Sequence, residues 1–238
     1  MLALPAPGLL VQTTRDGVAR LHNHGSDRMG RTAAGTTDDP LYSRQAYSTR
    51  TGPTAPGNIA DNHFCVVLAG VRSVRKRIHP LGAGHGDGWG WAASWHRPVF
   101  PSGPESVPEL RVESVTVARG HHELRVHRVV GAPHDATVEQ TGWATGPDDD
   151  VVSVLRPLAG WVDQDEVRAP AGTAFTRWAT VPRLAAPATN RVYVAMAALT
   201  STPVAPPTVE VRADTVEIRW PDGTTTGIAF GPLVVTGS

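Results

Sequence analysis

The stretch "LRVESVTVARGHHELRVHRVVGA", Leu110 to Ala132, decides the fold. Val115 and Val117 alternate before a turn near Gly120, and Leu124, Val126 and Val130 alternate after it, with Glu123, Arg125 and His127 on the opposite face. Successive side chains of a strand point to opposite sides of the sheet, so this period of two predicts an antiparallel hairpin. One face is expected in the core and the other toward solvent or a cleft.

Working outward, "TVEVRADTVEIRWPDGTTTGIAF", Thr208 to Phe230, repeats the pattern: Val209 and Val211, then Val216, Ile218 and Trp220, then Ile228 and Phe230 share a face. Its Pro221–Gly223 turn has a mechanism, because proline presets φ and glycine accepts positive φ. Further strands are expected at Leu9 to Thr14, Val18 to His24, Asn62 to Leu68, Val71 to His79, Trp89 to His96, Val138 to Ala144, Val151 to Leu155, Phe175 to Val181 and Val192 to Leu199. The 24 glycines and 21 prolines punctuate the chain rather than cluster, and no window keeps a helical apolar spacing for three turns. The expectation is an all-β fold: one large antiparallel β-sandwich of about a dozen strands, since that many strands exceed one open sheet. A single domain over residues 1–238 is expected, with a long polar loop at about 26–61, a length that tends to be functional or disordered.

Composition excludes several classes. With 22 basic and 22 acidic residues no global field draws the chain to nucleic acid or an anionic membrane. Only Lys76 among the basic residues is lysine; a GC-rich coding sequence accounts for that, and arginine's planar fork also suits a bidentate grip on carboxylates. Cys65, the only cysteine, sits in the apolar "HFCVVLAG" and reads as a buried thiol. No run approaches the roughly 20 apolar residues that span a bilayer, and the first residues, broken by Pro5 and Pro7, make a poor signal peptide, so a soluble, cytoplasmic protein is expected. There is no Walker loop, no GxGxxG, no HExxH, no GxSxG and no CxxC. No cofactor is expected.

Four stretches carry chemistry. In "LHNHGSDR", Leu21 to Arg28, His22 and His24 share a strand face, with Asp27 and Arg28 beside them. They read as a catalytic cluster of His22, His24 and Asp27, as a metal claw of the same three side chains, or as hydrogen-bonded structural histidines. "QAYSTRTGPT" offers Tyr47, Ser48 and Arg50 as hydroxyl and guanidinium donors, or pins its own loop. "DNHF" places His63 at a strand start. "GAGHGDGWGWAASWHRP", Gly82 to Pro98, aligns Trp89, Trp91 and Trp95 by strand parity and adds His96 and Arg97. Tryptophan faces stack on the C–H faces of sugars, although sandwiches also bury such rings in their cores.

Together "DGVARLHNHGSDR", "YSRQAYSTRTGPT", "DNHF", "RIHPLGAGHGDGWGWAASWHRP", "ESVTVARGHHELRVHRVVGAP" and "VEQTGWA" resemble the C-terminal half of the bacterial family catalogued as domain of unknown function 2264. The likeness runs from about Leu9 to the C-terminus and is strongest to about Ala144. It implies a two-domain carbohydrate-active architecture, an N-terminal (α/α) toroid followed by a β-sandwich, as also found in heparinase-type polysaccharide lyases. The implied substrates are uronic-acid-containing glycans, cut by a glucuronidase-like glycoside hydrolase or a lyase. The toroid has no counterpart in these 238 residues, so a truncated or split product without activity of its own is expected. The implied partners are carbohydrate and a separate helical-toroid domain or subunit, with no nucleic acid and no membrane. Within such a cleft the sandwich lends Arg28, Tyr47, Arg50, His63, Trp89, Trp95, His96 and Arg97 to the substrate. The alternative is a non-catalytic glycan-binding or bracing module.

Overall fold

The computed structural model describes residues 2–5, 9–15, 18–23, 64–73, 78–100, 107–119, 122–142, 152–171, 177–189, 191–200 and 203–238. They form eighteen strands and, among the described residues, no helix. In chain order these are β1 (Leu2–Pro5), β2 (Leu9–Arg15), β3 (Val18–Asn23), β4 (Phe64–Leu68), β5 (Val71–Arg72), β6 (Ile78–Gly86), β7 (Trp89–His96), β8 (Arg111–Arg119) and β9 (His122–Val130). Then follow β10 (Thr137–Thr141), β11 (Val152–Ala159), β12 (Asp163–Ala171), β13 (Arg177–Pro187), β14 (Val192–Thr200), β15 (Thr208–Arg212), β16 (Thr215–Arg219), β17 (Thr225–Ala229) and β18 (Val234–Gly237). The antiparallel all-β sandwich expected from the alternation is the fold the chain adopts, with more strands than the dozen foreseen.

The strands make four antiparallel sheets, ordered β1-β2-β3, β12-β13-β10-β4-β5, β11-β14-β9-β8-β7-β6 and β15-β16-β17-β18. The six-stranded sheet is the middle layer. On one face Val115, Val117, Leu124, Val126, Val194 and Met196 pack with Val216, Ile218, Trp220, Ile228 and Phe230 of the C-terminal sheet. On the other, Val112, Val129 and Tyr193 pack with Phe64, Val66, Val138 and Ala186 of the five-stranded sheet. Each such aliphatic side chain, fully withdrawn from water, contributes about 1.5–3 kcal/mol before conformational entropy is counted.

Burial on both sides corrects one expectation. Glu123, Arg125 and His127 face neither solvent nor a cleft; they are 1%, 2% and 2% exposed, beneath the five-stranded sheet. Polar residues survive there because they are paired. The His127 ring stacks on Phe64 at 4.0 Å. Gln140 Nε2 donates to the Thr141 carbonyl, which leaves Gln140 Oε1 to accept from His127 Nε2 at 2.9 Å. His127 Nδ1 lies 2.8 Å from the Ser114 hydroxyl, so both ring nitrogens are engaged in hydrogen bonds.

Strand β6 covers Pro80 to Gly86, where no strand was expected. The expected strand from Val71 to His79 is instead a two-residue β5 followed, after residues outside the description, by β6. The glycines of β6 act by lacking a side chain. A Cβ at Gly84 would lie 2.6 Å from Trp91 Nε1, and one at Gly82 3.0 Å from Trp91 Cη2, so bare backbone lets the indole lie across the strand. Trp89 likewise occupies the space over Gly86 and Gly237. A register shift between Pro80 and Gly82 reverses parity, placing His79 on the same face as these tryptophans.

Candidate functional site

The register of the middle sheet builds a cross-strand row that begins at its β6 edge. His79 lies opposite Trp95, Trp95 opposite Glu113, and Glu113 opposite Arg128. Directly opposed residues of antiparallel strands share a face, so the four side chains stand side by side. The His79 ring stacks on Trp95 at 4.2 Å with 14° between planes. From β8, on the other side of β7, the Arg111 guanidinium covers the same indole at 4.4 Å. Trp95 is therefore gripped from both flanking strands, by a stacked, exposed His79 on one side and a half-buried Arg111 in cation–π contact on the other.

Glu113 holds the row together. Its side chain, 8% exposed, accepts from Arg111 Nη2 at 2.7 Å and from Arg128 Nη1 at 3.0 Å. Arg128 also grips Asp214 through Nε and Nη2 at 2.9 and 3.0 Å. Burial works against the Arg128 charge, yet the hydrogen bond and charge of Glu113, with Asp214, hold its pKa above the usual value. Arg111 Nε is buried without a hydrogen-bond partner among the described residues. Chemically the strip offers an aromatic edge beside two guanidinium groups whose charges are balanced by Glu113 and Asp214. Glu113, locked between two arginines, serves as a frame for it.

The expected site residues that lie among the described ones do not gather in one place. Trp89 and Trp91 are half-buried against the core, and Trp95 is half-buried in the row just described. His96 does not join them. It is 2% exposed and, opposite Val112, faces the five-stranded side of the middle sheet. Arg97 is exposed immediately after β7. His22 lies on β3 opposite Val11 of β2, and β2 runs close to β7; its side chain is outside the description. His24, Asp27, Arg28, Tyr47, Ser48, Arg50 and His63 lie outside the described residues, as does the loop at about 26–61. Among the described residues no three His, Cys, Asp or Glu side chains come together in a way that could hold a metal ion. His79, Arg111, Glu113 and Arg128 were not foreseen; His79 lay in the quoted "RIHP", but only the register ties it to Trp95.

No family model and no curated protein matches the chain. Among solved structures it is similar to a mutant of heparan sulfate lyase HepC from Pedobacter heparinus, with a TM-score of 0.58 at 10% sequence identity, over 100% of this chain and 42% of that one. The HepC structure without that designation gives a TM-score of 0.54 at 10% identity, again over 100% of this chain and 42% of the other. The chain thus spans less than half the length of these lyases and shares the β-sandwich fold of the part it matches.

Proposed function

We propose that this chain is the β-sandwich part of a carbohydrate-active protein, acting on uronic-acid-containing glycans together with a helical-toroid domain or subunit. The observation that carries the reading is coverage: every residue of the chain aligns within 42% of a heparan sulfate lyase. The resemblance of its histidine- and tryptophan-rich segments to the family of domain of unknown function 2264 supports the same architecture from the sequence side. The His79–Trp95–Arg111 strip offers an acidic sugar a guanidinium for its carboxylate beside an exposed imidazole.

In this division of labour the sandwich binds and the partner completes the chemistry. A glycosidase mechanism normally needs two carboxyl groups roughly 5 to 9.5 Å apart, and the histidine-rich segments offer few acids. His22, His24 and Asp27 are the contribution we assign to the reacting end of the cleft.

The test compares the chain alone, and mixed with a helical-domain partner, on aryl glucuronides, unsaturated uronate oligosaccharides and heparan sulfate. Turnover in the mixture alone is expected, and His22→Ala or Asp27→Asn should abolish it. Strong turnover by the lone chain overturns the division of labour. Binding of these glycans without turnover in either sample leaves the non-catalytic module, and neither binding nor turnover overturns the glycan reading.

A further inference from the structure

We propose a site for a hydroxylated amine, of the kind a free-amine hexosamine presents, in the cleft between β11 and β12. β11 is an edge of the middle sheet, and it passes through residues 160–162 into β12, an edge of the five-stranded sheet. Between the two strands lies a cavity of about 610 Å³, within the roughly 300–1,000 Å³ of small-molecule pockets. The inference goes beyond the glycan-acting reading: the His79–Trp95–Arg111 strip starts from the opposite edge of the middle sheet, and the ligand here carries the opposite charge.

Register decides which side chains share the cavity. Ser153 and Leu155 are two apart on β11, and Leu155 packs with Leu184 of β13, so both face the five-stranded sheet. Gln164 and Glu166 lie opposite Leu184 and Pro182 and share their inward face. Arg156 and Asp165 occupy the alternate positions and point elsewhere. Arg156 lies opposite Met196, on the face covered by the C-terminal sheet, and Asp165 lies opposite Arg183, which holds it on the outer face of the five-stranded sheet. Of the charged residues that line the cavity, Glu166 alone therefore faces into it, and it makes no ion pair with any described residue.

The polar groups of the cleft are mostly acceptors. Gln164 Nε2 donates to the Leu155 carbonyl at 3.1 Å, which fixes the amide and leaves its oxygen able to accept. Ser153 Oγ is buried with no hydrogen-bond partner among the described residues, which is costly for a hydroxyl unless a ligand supplies one. Gly142 keeps the space beside it: a Cβ there would sit 2.8 Å from Pro182 Cγ and 3.1 Å from Ser153 Oγ. A carboxylate, an amide oxygen and a hydroxyl call for a ligand rich in donors. A free-amine sugar supplies them, with its ammonium on Glu166, its hydroxyls on Gln164 Oε1 and Ser153, and its C–H face on the Pro182 ring. A plain alkyl amine leaves Ser153 without a partner, and a uronate brings like charge onto Glu166.

The experiment titrates the full chain by calorimetry with a free-amine glucosamine disaccharide, its N-acetylated counterpart and the glucose disaccharide of the same linkage. The free-amine sugar is expected to bind, and each neutral sugar at least about tenfold more weakly, since the charge-assisted contact with Glu166 is lost. Glu166→Gln, an exposed substitution, should bring the free-amine sugar down to the affinity of the neutral ones. Asp163→Asn removes an exposed charge from the opposite face of the same strand and should change that affinity by less than about twofold at physiological salt. Ser153→Ala should weaken binding severalfold while leaving the ligand-free thermal midpoint unchanged or higher, because it deletes a buried hydroxyl that has no partner among the described residues. A lowered midpoint overturns the assignment of Ser153 to the ligand. If the free-amine sugar binds no better than the neutral ones or not at all, or if Glu166→Gln and Ser153→Ala leave its affinity unchanged, the site is overturned, while the acidic-glycan reading is decided separately by its own ligands.

Discussion

Removing the Glu123 carboxylate tests whether the polar face of the middle sheet is truly interior. Glu123 and Arg125 are two apart on β9, so they share a face, and the carboxylate accepts from both Nε and Nη2 of the guanidinium. Each side chain is 2% exposed. The pair fits because its cross-strand neighbours are small: Ala197 and Ala195 on β14, Ala118 and Thr116 on β8. Glu123→Ala removes the carboxylate that accepts both of these guanidinium hydrogen bonds, and breaking a buried pair in this way costs about 3–5 kcal/mol, a large share of the roughly 5–15 kcal/mol that holds a domain folded. Replacing both partners, as Glu123→Leu with Arg125→Met, removes the charge together with its counter-charge and should cost about 1 kcal/mol or less, or even stabilise. Urea denaturation of the three proteins, with unchanged dependence on denaturant, reads the difference directly. Were this face solvated, as strand alternation alone implies, the single substitution would cost no more than about 1 kcal/mol, as for a surface pair. That result would refute the layered arrangement.

Three further outcomes follow from the geometry. Gly84→Val places branched atoms where Trp91 lies and should cost about 1–3 kcal/mol through overpacking, with a red shift of tryptophan emission as the indole is pushed toward water. The Arg183 hydrogen bonds hold the Asp165 carboxyl below its usual 3.8, so the folded state binds fewer protons there than the unfolded chain; this contribution is complete above about pH 4 and is lost as pH falls through the lower folded value. Arg183→Gln should move the Asp165 titration up toward 3.8 by NMR and flatten that part of the acid limb. Asp222, held at about 2 first by the Thr224 hydroxyl and then by its backbone N–H, should titrate higher in Thr224→Val.

The hairpin of β8 and β9 was legible because its apolar residues alternate strictly, and the C-terminal sheet because its valines and isoleucines do the same around a proline–glycine turn. β6 was hidden because its core-side positions are glycines, which erase the alternation while making room for Trp89 and Trp91. β12 was hidden for a different reason: its first half, Asp163 to Glu166, is an exposed sheet edge whose charges discourage edge-to-edge pairing, so it has no apolar face to read. The burial of Glu123, Arg125 and His127 was unreadable because a polar face says nothing about whether a second sheet will cover it. Of the candidate site, the tryptophan parity was visible, but His79, Arg111 and Glu113 join Trp95 only through register across three strand pairs, including one shifted by a bulge.

The central claim, that this sandwich recognises acidic glycans, is tested most directly by titrating the full chain with a heparan sulfate-derived tetrasaccharide and with a neutral tetrasaccharide of equal length. The account predicts that the acidic ligand binds, that binding weakens as salt rises and that Arg111→Ala lowers its affinity, while the neutral ligand binds far more weakly. Equal affinity for the two, or none for either, would contradict it.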